Sequence, residues 1–380
     1  MSTRFTIAHG VAAAAVLALH SGAAAADAAR TFSAGDYEVR AVTVVDGLEH
    51  PWSMAFLPDG AVLVTERPGR LRIVRDGRLA PEPLSGVPEV VASGQGGLLD
   101  VVLHPDFEAN SLVYLSYAAQ GPGGATTAIA RGRFDGEALV DTSTIFMAEA
   151  EGATGRHFGG RMVFDPDGYL YLTIGDRGEM DRAQDTGDHA GTTLRLRDDG
   201  SVPEQNPFVD DEAALPEIFT FGNRNGQGLA VHPDTGAVWQ HEHGPRGGDE
   251  INVLRAGLNY GWPEVTYGIG YSGGQIAESA TGPGFEPPLK HWTPSIAPSG
   301  MAFYTGDVFP VWQGDIFVGA LAGQHLARVS FDGTQEVGEE QMMTDFGWRI
   351  RAVTQGPDGH LYLLVDAADA PMVRLERADP

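Results

Sequence analysis

The chain has 380 residues and a formal net charge of −26, with 51 acidic against 25 basic side chains. Such a charge repels a nucleic-acid backbone and argues against that class of partner. The absence of cysteine excludes disulfides, thiolate metal sites, cysteine nucleophiles and lipoprotein anchoring, and leaves Lys290, the one lysine, as the sole candidate for Schiff-base chemistry.

Residues 1–26 read as a secretory signal peptide. Arg4 precedes an apolar, alanine-rich run from Ile7 to Leu19, and small residues from Ala23 to Ala28 follow at cleavage spacing. The run is shorter than the roughly 20 residues that span a bilayer, and His9 and His20 interrupt and end it. Cleavage near Ala26 or Ala28 is therefore expected, with no stable membrane insertion. Residues 27–380 are then a single domain working in the periplasm or outside the cell.

From residue 54 onward one phrase recurs: an apolar strand, a Pro-Asp-Gly turn or a relative of it, and a second strand. It appears as Met54 to Gly60, Val101 to Phe107, Met162 to Gly168, Leu229 to Thr235 and Val353 to Gly359. A degraded copy runs from Met301 to Asp307. Proline presets φ, aspartate bonds its own backbone and glycine accepts positive φ, so each phrase predicts a β-hairpin. The 51 glycines and 24 prolines agree with a turn-rich chain, while 42% apolar residues are too many for disorder. Six hairpins at intervals of roughly 45–75 residues predict a radial array, because a lone hairpin cannot bury its face. The expected fold is all-β, a six-bladed β-propeller of four-stranded antiparallel sheets. Propellers bind ligands at one mouth of the channel, with residues drawn from several blades.

Four groups of polar residues fit neither a strand nor a turn. His157, among glycines in Gly155-Arg-His-Phe-Gly-Gly, precedes the third hairpin, and Asp176 ends its second strand. A histidine oriented by a carboxylate is a general base working near neutral pH, although a lone histidine is as readily a satisfied core residue. Gly222-Asn-Arg224-Asn225-Gly-Gln-Gly228 offers a fork of donors, either a loop brace or a clamp for an anion or carbonyl. His241 and His243 share a strand face but lack a third ligand at zinc spacing. The carbonyls of Gly244 and Pro245, with Asp249, Glu250 and Tyr260, look more like oxygen ligands for a hard ion such as Ca2+, or else form an acidic surface loop. Arg349 and Arg351 are expected on one face of a strand, guarding an edge or awaiting an anion.

In order along the chain, Pro51-Trp-Ser-Met-Ala-Phe, Gly94-Gln-Gly-Gly-Leu-Leu-Asp100, His157-Phe-Gly-Gly, Ile174-Gly-Asp176, Gly222 to Gly228, Glu242-His-Gly-Pro, Gly248-Asp-Glu-Ile-Asn252, Asn259-Tyr-Gly-Trp-Pro263 and Arg349-Ile-Arg351 resemble the soluble PQQ-dependent aldose sugar dehydrogenases of the glucose/sorbosone dehydrogenase family. The resemblance covers the chain from about Val42 to the C-terminus and implies a six-bladed propeller. It implies that His157 is the base acting on the sugar's anomeric hydroxyl, oriented by Asp176. It further implies that Gln95, His157, Arg224, Asn225, Arg349 and Arg351 contact PQQ, and that Arg224 assists the chemistry. The carbonyls of Gly244 and Pro245 are the implied ligands of a catalytic Ca2+, and Glu250 and Tyr260 those of a structural one. The implied partners are a small-molecule aldose and an unknown electron acceptor. One departure stands out: where the family usually carries a lysine reaching the cofactor, this chain has Ala322, with His325 as a candidate replacement. Two other functions compete with the dehydrogenase: a calcium-dependent propeller hydrolase such as a lactonase, and a non-catalytic binding propeller.

Overall fold

A computed structural model describes Met1 and residues 29–378. The apolar run and cleavage positions of the expected signal peptide lie outside the described residues. Among those described, no helix is long and apolar enough to cross a membrane.

Six antiparallel sheets are arranged around a channel. Their innermost strands are Pro51–Phe56, Leu98–Leu103, Met162–Phe164, Gly226–Val231, Pro298–Phe303 and Ile350–Gln355, one from each predicted hairpin. Each packs on the next, and the last meets the first to close the ring. Among the described residues, helix is confined to Phe107–Asn110, which replaces the tight turn of the second hairpin, and two 3-10 turns at Met180–Gln184 and Pro310–Trp312. The turn chemistry is as predicted in the first blade, where Asp59 accepts from the Ala61 amide at 3.0 Å; in the third, Asp165, the residue before the proline, accepts from the Tyr169 amide at 2.9 Å in place of Asp167. Gly60 and Gly168 take φ of 85° and 83°.

Five blades have four strands; the sixth has five. Its outer part is Tyr37–Leu48, which pairs with Ala370–Arg377, followed by Arg30–Ala34. The two chain ends therefore close the ring together. The second strand of most blades, such as Leu170–Ile174 or Leu361–Val365, is buried at every position because flanking blades cover both its faces. The apolar core accordingly lies between blades as separate layers, and the channel is left to polar groups. There Ser53 donates to Asp100 at 2.5 Å, and Asp100 also accepts from the Met162 amide at 2.7 Å, locking the first three blades together.

In every hairpin the start of the first strand and the end of the second share one end of the channel, opposite the Pro-Asp turns. That mouth gathers Arg67, Gln95, His157, Asp176, Arg224, Gly244, Ala322, Arg349 and Asp366.

Candidate active site

His157 precedes the inner strand of blade three with φ of 52°, a left-handed conformation that turns its ring toward Asp176. Its Nδ1 lies 2.6 Å from Asp176 Oδ1. The same oxygen accepts from the Gly178 amide at 2.7 Å, and Oδ2 accepts from the Trp262 indole at 2.9 Å. A carboxylate so filled holds Nδ1–H in place and leaves Nε2 as the basic nitrogen; among the described residues no partner is found for it. Burial lowers the pKa of His157, Asp176 opposes that shift and Arg224 adds to it, so the ring is neutral at neutral pH. Burial alone raises Asp176, but bonds from His157 and Gly178 outweigh it and the carboxylate stays ionised.

The loop around His157 is braced from three sides. Gln95 accepts from the His157 amide at 2.7 Å, and Asn225 accepts from the Gly159 amide at 3.1 Å. Arg177 stacks on Phe158 at 3.6 Å and donates to the carbonyls of Arg156 and Thr154. Gly175 is needed here, since a Cβ would lie 2.2 Å from the His157 carbonyl oxygen.

Arg224 links the blades. Its amide donates to Glu242, its carbonyl accepts from the Asp176 amide at 2.8 Å, and Nη1 donates to the carbonyls of His243 and Gly244 at 3.0 and 2.9 Å. Beside it a cavity of about 10 Å3 is lined by Glu242, Gly244, Glu250, Tyr260 and Trp262, room for one water-sized occupant. Glu242 and Glu250 are cross-strand partners, both buried. Burial pushes Glu242 up to about 7, and burial with the neighbouring Glu242 charge pushes Glu250 up as well. Two facing carboxylates in so small a space suit a cation. The Tyr260 hydroxyl is already committed, donating to Val253 O at 2.6 Å and accepting from the Arg255 amide at 3.0 Å, so only its carbonyl remains for an ion. Pro245 lines an outer pocket together with Gly244, Tyr271 and Ala322. His241 and His243 do share a face, and their Nε2 atoms meet the carbonyls of Ser299 and Pro298 in the next blade.

The centre of the mouth is a cavity of about 250 Å3. Trp52, Leu99 and Phe158 give it apolar walls; Arg67, Gln95, Asn225, Gln227, Arg349, Arg351 and Asp366 give it polar ones. The arginine pair differs from the sequence expectation. The strand starts at Ile350, after Arg349, and a bulge at Arg351 breaks simple alternation. Arg349 spends Nε and Nη2 on Asp366 at 3.3 and 3.2 Å and Nη1 on Leu321 O at 3.0 Å. Arg351 donates to Gln227 at 3.2 Å and lies 3.9 Å from Asp366. His325 is not at this cavity: it is buried, with Nδ1 on the Gly323 carbonyl at 3.0 Å. Lys290 pairs with Glu336 and Glu339 on outer strands.

The glucose/sorbosone dehydrogenase family model matches residues 48–374. The chain belongs to that family. Aldose sugar dehydrogenase YliI of Escherichia coli is 46% identical over 337 residues, covering 87% of this chain and 91% of its own. The apo crystal structure of the soluble aldose sugar dehydrogenase from Escherichia coli superposes with a TM-score of 0.87 at 44% identity, over 89% of this chain and 99% of that one. The PQQ-bound aldose sugar dehydrogenase of Streptomyces coelicolor superposes with a TM-score of 0.75 at 30% identity, over 89% and 97%.

Within the family fold, the mouth contains Arg67 and Asp366, which lie outside the motifs quoted above, and Gln227, Glu242 and Trp262, which lie inside them but were given no role. A signal for two of them was present. The second strands of blades one, three, four and six end in or beside a carboxylate, namely Glu66, Asp176, Glu242 and Asp366. Only Asp176 was given a role, as the carboxylate ending the hairpin that His157 precedes.

Proposed function

We propose that this protein is a PQQ- and Ca2+-dependent aldose sugar dehydrogenase, exported to the periplasm, that oxidises the C1 hydroxyl of an aldose to the lactone. The observation that carries this is the juxtaposition, in one mouth, of the His157–Asp176 dyad with a cavity lined by Arg67, Arg349 and Arg351. Three guanidinium groups in a cavity lined by a single carboxylate, Asp366, are a donor set for a polyanion, and Trp52 and Phe158 offer flat walls to a planar one. PQQ, a planar tricarboxylate quinone, fits that chemistry. Gln95, Asn225, Arg349 and Arg351 would hold it. The carbonyls of Gly244 and Pro245 would hold the Ca2+ beside it, and Glu250, the Tyr260 carbonyl and Glu242 a second one.

Bound PQQ supplies the oxidising power, accepting the hydride that leaves C1. The protein's own contribution is proton transfer and placement. Neutral His157 takes the hydroxyl proton at Nε2. Asp176 stabilises the imidazolium as it forms, and Trp262 and Gly178 keep Asp176 aimed. Arg224, fixed by Glu242 and the Asp176 amide, presents its charge at the mouth, where it favours negative charge developing during oxidation.

The test is reconstitution. Protein stripped of metal and cofactor is titrated with PQQ in the presence of Ca2+, and then assayed for aldose-dependent dye reduction. Saturable quinone absorbance with sugar-dependent turnover is expected. Lactone hydrolysis without quinone binding would replace this reading with the calcium-dependent hydrolase.

A further inference from the structure

Among the arginines of the central cavity, Arg67 is the one without a carboxylate. It follows the strand Val62–Glu66, and its backbone is locked on both sides: its amide donates to His50 O at 3.1 Å and its carbonyl accepts from the Leu98 amide at 3.0 Å. Gly97 makes the seat, since a Cβ there would stand 1.9 Å from the Arg67 carbonyl oxygen and 2.8 Å from its Cγ. The side chain lines the cavity and makes one hydrogen bond, from Nη1 to Gly94 O at 3.2 Å. Arg349 and Arg351 share Asp366, so the cavity holds three cations against one anion. Burial brings the Arg351 guanidinium down to about 10; Asp366 opposes the shift, and the charges of Arg161, Arg67 and Arg349 add to it. Asp366 is the one carboxylate among the residues that line the cavity.

We propose that Arg67 is a cofactor-binding residue whose guanidinium takes one carboxylate of PQQ, across the cavity mouth from Arg349 and Arg351. The inference rests on the PQQ reading above and adds to it a contact from blade one. A charged hydrogen bond of this kind sets affinity roughly tenfold or more, and each cation engaged steepens the loss of binding with salt.

The experiment is a PQQ titration of the Ca2+-loaded parent and of R67Q, R67K and R351A, followed by quinone absorbance at two ionic strengths, with the melting temperature of each apo-protein measured alongside. R67Q is expected to bind about tenfold or more weakly than the parent, with a shallower salt dependence and an unchanged apo melt; R67K is expected to recover part of the loss. If R67Q binds within about twofold of the parent while R351A is weakened, Arg67 is not a contact and the wider reading stands. If R67Q and R67K weaken binding equally and both lower the apo melt, the brace to Gly94 is responsible and the proposal is overturned. If the parent binds no PQQ, the wider reading falls and this inference with it.

Discussion

The two halves of the mouth gather groups of opposite sign, acidic on one side and basic on the other. On blades three and four, Glu242 and Glu250 face each other across adjacent strands, and Asp176 is the anchor of a histidine. On blades six and one, Arg349 and Arg351 share a single aspartate, Asp366, and Arg67 lines the same cavity with no carboxylate of its own among the described residues. Within each half the like charges work against one another, since facing carboxylates repel and clustered guanidinium groups do too, and Asp366 offsets only part of the arginine charge. The difference teaches that the mouth is completed by what it binds. The acidic half suits a cation and a proton-transfer pair; the basic half suits a polyanion.

The comparison breaks most visibly at the base. His157→Ala is expected to lower turnover by roughly 10²–10⁴-fold, the usual cost of a lost general base, with the PQQ spectrum and melt retained. Stopped-flow reduction of the bound quinone by an aldose checks it, and parent-like reduction would remove His157 from the chemistry. On the basic half, Arg351→Ala should weaken PQQ binding by about ten- to a hundredfold, measured by equilibrium titration. Arg224→Ala should act in the same direction, although its bonds to His243 and Gly244 also couple it to the acidic half.

A smaller effect is expected in stability on the acidic half. Glu242 has a folded pKa raised from 4.5 to about 7, and Glu250 is raised too. Between those pH values the metal-free folded state binds more protons than the unfolded chain, so this pair lowers stability as pH rises through the window. Ca2+ should abolish that loss, raising the melting temperature more at pH 7.5 than at pH 5. Glu250→Gln should remove most of the Ca2+ dependence. An equal Ca2+ effect at both pH values would count against a carboxylate site.

The finest test concerns the pH profile of quinone reduction. Burial holds His157 below its ordinary 6.5, so the base is lost only when pH falls through that lowered value. Asp176 raises the histidine's pKa; Asp176→Asn should therefore move the acidic limb further down while also slowing the reaction. A limb that stays in place would mean that Asp176 does not act on His157.

Much of this was legible in the sequence because it is local. The Pro-Asp-Gly turns are written in consecutive residues, so six hairpins and their ring could be counted. The closure of blade six was not, since Val39 pairs with Arg377 from the opposite end of the chain. His157 and Asp176 flank one hairpin and were paired from spacing alone. Asp366 and Trp262 act on partners in other segments: Trp262 reaches Asp176 across a long loop, and Asp366 receives His50 at 3.0 Å as well as Arg349. Arg349 and Arg351 were expected to share a strand face, but the strand starts after Arg349 and a bulge at Arg351 that no local pattern announces brings both to the cavity by another route. The same distance hid Arg67, whose seat is made by Gly97 in another blade.

If the opposite halves are completed by their ligands, cation and polyanion should help each other bind. Calorimetric titration of PQQ into metal-free and Ca2+-saturated protein, at fixed ionic strength, measures this directly. Ca2+ is expected to tighten PQQ binding by about tenfold or more, and by reciprocity PQQ should tighten Ca2+ to the same degree. Equal PQQ affinity with and without Ca2+ would contradict the complementarity of the two halves.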